Sequence, residues 1–277
     1  MRLLGPWVPS FGIPDGSDID LSVRPFDDSL ARSLGGFGPA GIVAFLLVMV
    51  GGVAMGPLRA VPALLWTWRS GTPWRDIGYV RPWSWIRSLV VGVAFGAGLK
   101  SLMKAIVMPL LGGPPINPAY HYLAGNTAAL PGMLFAVTAG AGFGEETPFR
   151  GYLFERLGRL LGKRAGARVA IVLPTSVLFG LGHYPQQGLA GVQQALVVGL
   201  VLGAVFAVTG RIWMPVFTHA AFDLTAWAEE ASRPHAHAHG GGGPAIEAPL
   251  MLPTKRAAAL PVCTRRAAPR APGESGA

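Results

Sequence analysis

The chain has 277 residues, 51% hydrophobic and only 13% charged, about half the ~25% charge of typical soluble proteins. Between Ser29 and Ala228 the acidic residues are Asp76, Glu145, Glu146, Glu155 and Asp223. So few acids cannot solvate a surface of that size, which excludes a soluble globular domain, a nucleic-acid binder and a disordered chain. The net charge of +9 sits mostly in loops and the C-terminal segment, where it suits anionic lipid headgroups.

In chain order, Met1 to Asp28 carries five Asp and no pattern of a cleavable signal peptide. Ser33 to Leu58 has no charged residue and is long enough for a membrane helix, which needs ~20 apolar residues. Arg59 to Arg87 follows with five Arg and five of the eight Trp, a headgroup-level connection with aromatic anchors. Ser88 to Leu111 is the second expected span and ends at Gly112-Gly113-Pro114-Pro115. A third helix starts near Ala128 and runs into Glu145-Glu146. The fourth covers Arg168 to Tyr184, broken by Pro185-Gln186-Gln187-Gly188. The fifth is Ala190 to Val208 and the sixth Ile212 to Glu229. Beyond Ala231 the chain is rich in Pro, Ala, Gly and Arg, with alternating His235, His237 and His239 and the single cysteine, Cys263. This tail is expected to be disordered, and one cysteine supports neither a disulfide framework nor a cysteine metal cluster.

The expected fold is therefore all-α: a polytopic membrane helix bundle of about six spans around a conical polar cavity. A further span near Val61 to Trp68 would raise the count toward eight. The organisation reads as a polar N-terminal segment (1–32), N-terminal membrane helices with the basic, Trp-rich connection (33–127), a helical block that holds the polar motifs (128–230), and the tail (231–277). With six spans, the basic connection and the loop holding Arg156, Arg159, Lys163, Arg164 and Arg168 fall on the same, inner side, and the acidic N-terminus falls outside.

Ionisable residues at membrane depth are costly and require a reason. Three pairs stand at i,i+4 spacing, which places both members on one helix face: Glu146 with Arg150, Phe179 with His183, and His219 with Asp223. Glu146 and Arg150 form a carboxylate–guanidinium pair. Glu145 points about 100° away without such a partner, and desolvation should make it the general base. His183 can share a water with it. His219, held by Asp223 through one ring nitrogen, can donate from the other to an oxyanion. A base, a water-holding imidazole and an oxyanion donor describe amide hydrolysis. No G-x-S-x-G serine and no cysteine occurs in the spans, so the attacking group is water.

These residues resemble a known family. Glu145-Glu146-Thr147-Pro148-Phe149-Arg150, Phe179-Gly180-Leu181-Gly182-His183 and His219-Ala220-Ala221-Phe222-Asp223 look like the E-E-x-x-x-R, F-x-x-x-H and H-x-x-x-N/D motifs of the CAAX prenyl protease and bacteriocin-processing (Abi) membrane proteins. The likeness covers about a third of the chain. It implies an intramembrane endopeptidase with Glu145 as base, His183 holding the water, and His219 with Asp223 as the oxyanion pair. The implied substrate is a membrane-associated peptide, prenylated in the CAAX branch, and the implied site is an integral position in a bacterial cytoplasmic membrane. Two departures bear on CAAX specificity. Pro148 sits inside the first motif and cannot donate to the Gly144 carbonyl, which predicts a kink. Asp223 stands where the prenyl endopeptidases carry Asn, adding a negative charge beside His219.

Each motif has a plainer reading. Glu146–Arg150 alone would serve as a structural ion pair, and His183 alone as a satisfied core histidine; together, in family order, they favour catalysis. Phe179 reads as packing that shapes the cavity wall. Lys100 and Lys104 share a face and are expected to snorkel toward a headgroup. His121, between Tyr120 and Tyr122, reads as interfacial. Glu145, His183 and His219 would make a His2Glu set suited to zinc, but they come from three helices without an H-E-x-x-H segment, and the metal-independent reading is preferred. A non-catalytic membrane scaffold or immunity protein, and a proton-coupled transporter, are the rival functions. A transporter usually shows internal repeats, and none is visible.

Overall fold

A computed structural model describes residues 26–113, 127–162 and 164–231. All regular structure in them is helical, so the all-α expectation holds. The expectations for residues 1–25, for the loop with Tyr120, His121 and Tyr122, and for the tail from 232 lie outside the described residues.

α1 (Ser29–Gly35) starts at Asp28, whose side chain accepts from the Ala31 N–H at 2.7 Å, as an N-cap should. Arg69 also donates to this carboxylate (2.9 Å), and the two bonds hold the Asp28 carboxyl below its ordinary range. α2 (Pro39–Ala54) follows across a sharp bend. A 3-10 turn at Gly56–Leu58 leads to α3 (Ala60–Arg69). α4 (Trp85–Leu110) is capped by Ser84 and contains a π-helical stretch at Met103–Val107. α5 (residues 130–161) alternates α and π turns, with π stretches at Ala136–Phe143 and Thr147–Leu153 on either side of Gly144–Glu146. α6 (Ala165–Gly182), α7 (Tyr184–Thr209) and α8 (Trp213–Ala231) complete the bundle.

The six expected segments are helical, with three differences. The first, Ser33 to Leu58, is interrupted by the 62° bend between Ser29–Gly35 and Pro39–Gly52. The break between the fourth and fifth falls at His183. Pro185 opens α7 instead of ending α6, at a first-turn position where its missing N–H costs nothing. Gly188 carries the non-helical conformation (φ 60°, ψ −157°). Pro148 does not break α5. Its lost donor is absorbed by the wider π turn of Thr147–Leu153.

Among the described residues, α4 and α7 are long and apolar enough to cross a membrane. The pair Ser29–Gly35 and Pro39–Gly52, bent by 62°, makes a third if it is one span. The outward faces agree: Leu46, Leu47 and Val50 on α2, Ile86 and Val90 on α4, and Val169 and Leu173 on α6 are all exposed, apolar surface that lipid would cover.

α8 is held by close backbone approaches. A Cβ on Gly96 of α4 would lie 2.2 Å from the Thr218 carbonyl oxygen, and one on Gly142 of α5 would lie 2.8 Å from that of Val216. Small residues at such crossings let membrane helices pack directly. Both approaches fall within three residues of His219 and pack α8 against α4 and α5. A groove of about 790 Å3 runs along α8, lined by apolar residues of α4 and α8 such as Leu89, Val93, Phe217 and Leu224, with Thr138 of α5 and Glu229. Of the three motifs only Ala220 and Ala221 line it; Glu145, Glu146, Arg150, His183, His219 and Asp223 do not.

Candidate active site

The site is assembled where α5, α6 and α8 meet, with an extra residue from the turn before α3. Glu146 on α5 is fully buried and is the hub. Its Oε1 accepts from Arg150 Nη1 at 2.9 Å, one turn on, and from His219 Nδ1 on α8 at 2.7 Å. A carboxylate oxygen can only accept, so Nδ1 is the donor. This corrects the expectation for His219: Glu146, not Asp223, orients the ring. Asp223 stands 3.8 Å from Nε2, beyond hydrogen-bonding range. The i,i+4 spacing put Asp223 on the correct face, but the shorter contact comes from a different helix.

Glu145 is also corrected. It does not lack a cationic partner, because Arg59 forms an ion pair with its Oε1. Arg59 follows the Gly56–Leu58 turn, at the start of the connection whose composition places it among headgroups. No local pattern links positions 86 apart. Only the presence of an arginine at the edge of an otherwise uncharged span hinted at it. The second carboxylate oxygen, Oε2, is buried without a hydrogen-bond partner and faces His183 Nε2 at 3.8 Å.

His183 terminates α6, and its Nδ1 lies 2.8 Å from the Phe179 carbonyl oxygen. That carbonyl accepts, so in the neutral ring Nδ1 carries the proton and Nε2 presents a lone pair toward Glu145. In that state the two acceptors, 3.8 Å apart, do not bond one another.

Phe179 is buried beneath this cluster. Its ring centroid is 4.8 Å from that of His183 and 5.8 Å from that of His219. The Arg150 guanidinium stacks over it at 4.4 Å, a cation–π contact in desolvated surroundings. Phe149 closes the other edge at 5.1 Å. Thr147, between the glutamate pair and the arginine, pairs its hydroxyl with Tyr79 at 2.8 Å and ties α5 to the segment before α4.

All six polar motif residues and Phe179 thus lie in one contact network. The zinc reading finds less support in the geometry. Among the described residues no three His, Cys, Asp or Glu side chains converge as a metal site, and Arg59 and Glu146 already engage Glu145 and His219. The residues as arranged do not fit a His2Glu zinc site, so no step below is routed through one.

The snorkelling expectation does not hold for Lys100. Lys100 turns inward and is 9% exposed, donating to Gln194 on α7 at 3.3 Å. Lys104 is ion-paired with Glu229.

Residues 127–225 match the type II CAAX prenyl endopeptidase Rce1-like family. The match agrees with the family suggested by the motifs, spans all three of them, and excludes Arg59 and Lys100. No curated protein and no solved structure matches the chain. The apolar helices and the matched segment together indicate an integral membrane protein with a CAAX-protease-like region.

Proposed function

We propose that the protein is an intramembrane endopeptidase, acting in a cytoplasmic membrane, that hydrolyses peptide bonds of CAAX-like or other membrane-associated peptides with a water activated by Glu145. The observation that carries this reading is the pair of acceptors, Glu145 Oε2 and His183 Nε2, facing each other at 3.8 Å.

A water donating to both acceptors keeps its lone pair free for the substrate carbonyl carbon. Glu145 takes one water proton as the C–O bond forms. The resulting oxyanion is met by His219 Nε2 when that nitrogen carries a proton, the ring being oriented by Glu146 through Nδ1. Glu145 then passes its proton to the leaving amide nitrogen as the C–N bond breaks, giving a carboxylic acid and an amine; the acid's remaining hydroxyl proton, the second of the water's two, then moves to the amine and leaves a carboxylate and an ammonium. Arg150 holds Glu146, and Asp223 polarises the outer side of His219. The reaction needs no cofactor.

The test compares wild type with Glu145→Gln, each reconstituted in lipid with prenylated and unprenylated membrane peptides, and reads new termini by mass spectrometry. Loss of the base should slow cleavage about 1,000-fold, with thermal stability showing that the variant is folded. Equal cleavage by both proteins would sink the assignment. A chelator should leave the wild-type rate unchanged; its loss would make the protein a metalloenzyme.

A further inference from the structure

A second cavity lies where α4 begins, and none of the motif residues lines it. Trp74, Tyr79, Arg81, Trp85 and Trp213 enclose about 270 Å3. The four rings form a chain of edge-to-face contacts: Trp74 to Tyr79 at 6.0 Å, Tyr79 to Trp213 at 5.4 Å and Trp213 to Trp85 at 5.0 Å. Arg81 supplies the charge in this wall.

The cavity is preformed. The Ile212 N–H donates to the Gly78 carbonyl at 3.0 Å and Arg211 Nη1 donates to the Arg81 carbonyl at 3.0 Å. These bonds stitch the segment before α4 to the turn before α8. Gly78 has a φ of +86°, and a Cβ there would lie 2.4 Å from the Phe206 ring, so the segment is seated directly against α7. Tyr79 is pinned at its far end, where its hydroxyl pairs with Thr147 at 2.8 Å.

Its depth follows from Trp85, which opens a helix long and apolar enough to cross a membrane, with Trp83 and Ile86 exposed on either side. This is the layer where hydrocarbon gives way to headgroups and where Trp, Tyr and Arg concentrate. Simple anchoring needs exposed rings such as Trp83. Trp74 and Trp213 are instead partly buried and share a cavity.

Charge selects the ligand. Arg81 lines the pocket and the Arg211 guanidinium is bonded to its carbonyl, which favours an anion over the ammonium that aromatic rings alone would accept. A guanidinium presents paired N–H donors that match phosphate. Ring walls suit carbon, not a bare hydrated ion. The volume, a little below the roughly 300–1,000 Å3 of drug-sized ligand sites, takes a phosphodiester with its glycerol and leaves the acyl chains in the bilayer.

We propose that this pocket is a specific site for the phosphodiester neck of an anionic glycerophospholipid, with Arg81 on the phosphate oxygens and the aromatic rings against the glycerol carbons. Binding here is independent of the hydrolytic groups and of the endopeptidase reading.

Native mass spectrometry of the full-length protein in a neutral detergent, titrated with phosphatidylglycerol, counts the bound lipids. Wild type should bind a first phosphatidylglycerol at least ~5-fold tighter than phosphatidylcholine, whose ammonium would meet the two guanidinium groups. Arg81→Gln should weaken that first site about 10- to 100-fold, as expected for loss of a charged hydrogen bond, and Arg81→Lys should weaken it less. Arg81 is exposed and its carbonyl still receives Arg211 in both variants; melting temperatures check that they fold. Arg75→Gln removes an exposed arginine of the same segment that does not line the pocket, and should leave the affinity within about twofold, since it makes no contact with the bound phosphate. Inorganic phosphate, which lacks the carbons that the rings cover, should displace the lipid at concentrations about 100-fold higher or more. Displacement at the lipid's own concentration would assign the pocket to a soluble phosphate and overturn the lipid proposal. Equal affinity for the two lipids overturns it as well. So does an equal loss in Arg75→Gln and Arg81→Gln, which would mean diffuse attraction to a basic surface.

Discussion

Arg59 ties its guanidinium to one oxygen of Glu145 and leaves the other toward His183. The two side chains are 15% and 10% exposed, so removing one partner strands a largely buried charge. Breaking fully buried pairs costs about 3–5 kcal/mol, and the residual exposure puts Arg59→Gln near the lower end. Its kcat should fall about 10- to 100-fold with KM little changed, because the arginine orients the base without touching substrate. Arg59→Lys keeps the charge but loses the planar fork, and should recover only part of the rate. A double-mutant cycle in thermal unfolding checks the partnership. In a Glu145→Gln background, Arg59→Gln should cost much less than alone; equal cost in both backgrounds would mean that the arginine stabilises the fold elsewhere. At this scale the sequence was informative only where partners share a helix. Glu146 with Arg150 and Phe179 with His183 follow from i,i+4 spacing. The bonds Glu146–His219 and Arg59–Glu145 join different elements, and no spacing rule reaches across them.

The helices themselves were legible because their cause is local: long apolar runs, with Pro and Gly at the ends. Their detailed form was not. π turns on both sides of Gly144–Glu146 accommodate Pro148 and rotate the glutamates relative to an ideal helix, a shift that a 100°-per-residue wheel cannot anticipate. The inward turn of Lys100 was equally hidden, because the lipid and protein sides of α4 are both apolar and only packing distinguishes them. That packing depends on Gly96, where a Cβ would meet the Thr218 carbonyl oxygen at 2.2 Å and Ala221 Cβ at 2.9 Å. Gly96→Ala should force α4 and α8 apart, at a cost of roughly 1–3 kcal/mol from overpacking, and displace His219 from Glu146. Gly98→Ala, with nothing within 4 Å of the added Cβ, is the control for helix propensity. The comparison is read by melting temperature and cleavage rate in one detergent. If Gly96→Ala behaves like Gly98→Ala, the close approach is not what positions α8.

The family match over residues 127–225 covers every motif residue, yet the assembled site extends beyond it. Glu145 meets Arg59 from the turn before α3, Thr147 meets Tyr79, and α8 rests on Gly96 of α4. The N-terminal helices therefore contribute residues to the site, and under the proposed function they would bear on the chemistry as well as the anchor. If so, residues 127–277 expressed alone should enter the membrane but cleave at less than about 1% of the full-chain rate, since misplacing reacting groups by about 1 Å already costs on the order of 100-fold. Co-expressing residues 1–126 as a separate chain should restore a substantial part of the activity, because membrane helices associate through packing of this small-residue kind without a covalent link. Arg59→Gln and Gly96→Ala in the first fragment should weaken that restoration for different reasons. The first leaves co-purification of the fragments intact, and the second diminishes it. Full activity from 127–277 alone would show that the matched segment is self-sufficient and that Arg59 is incidental to the reaction.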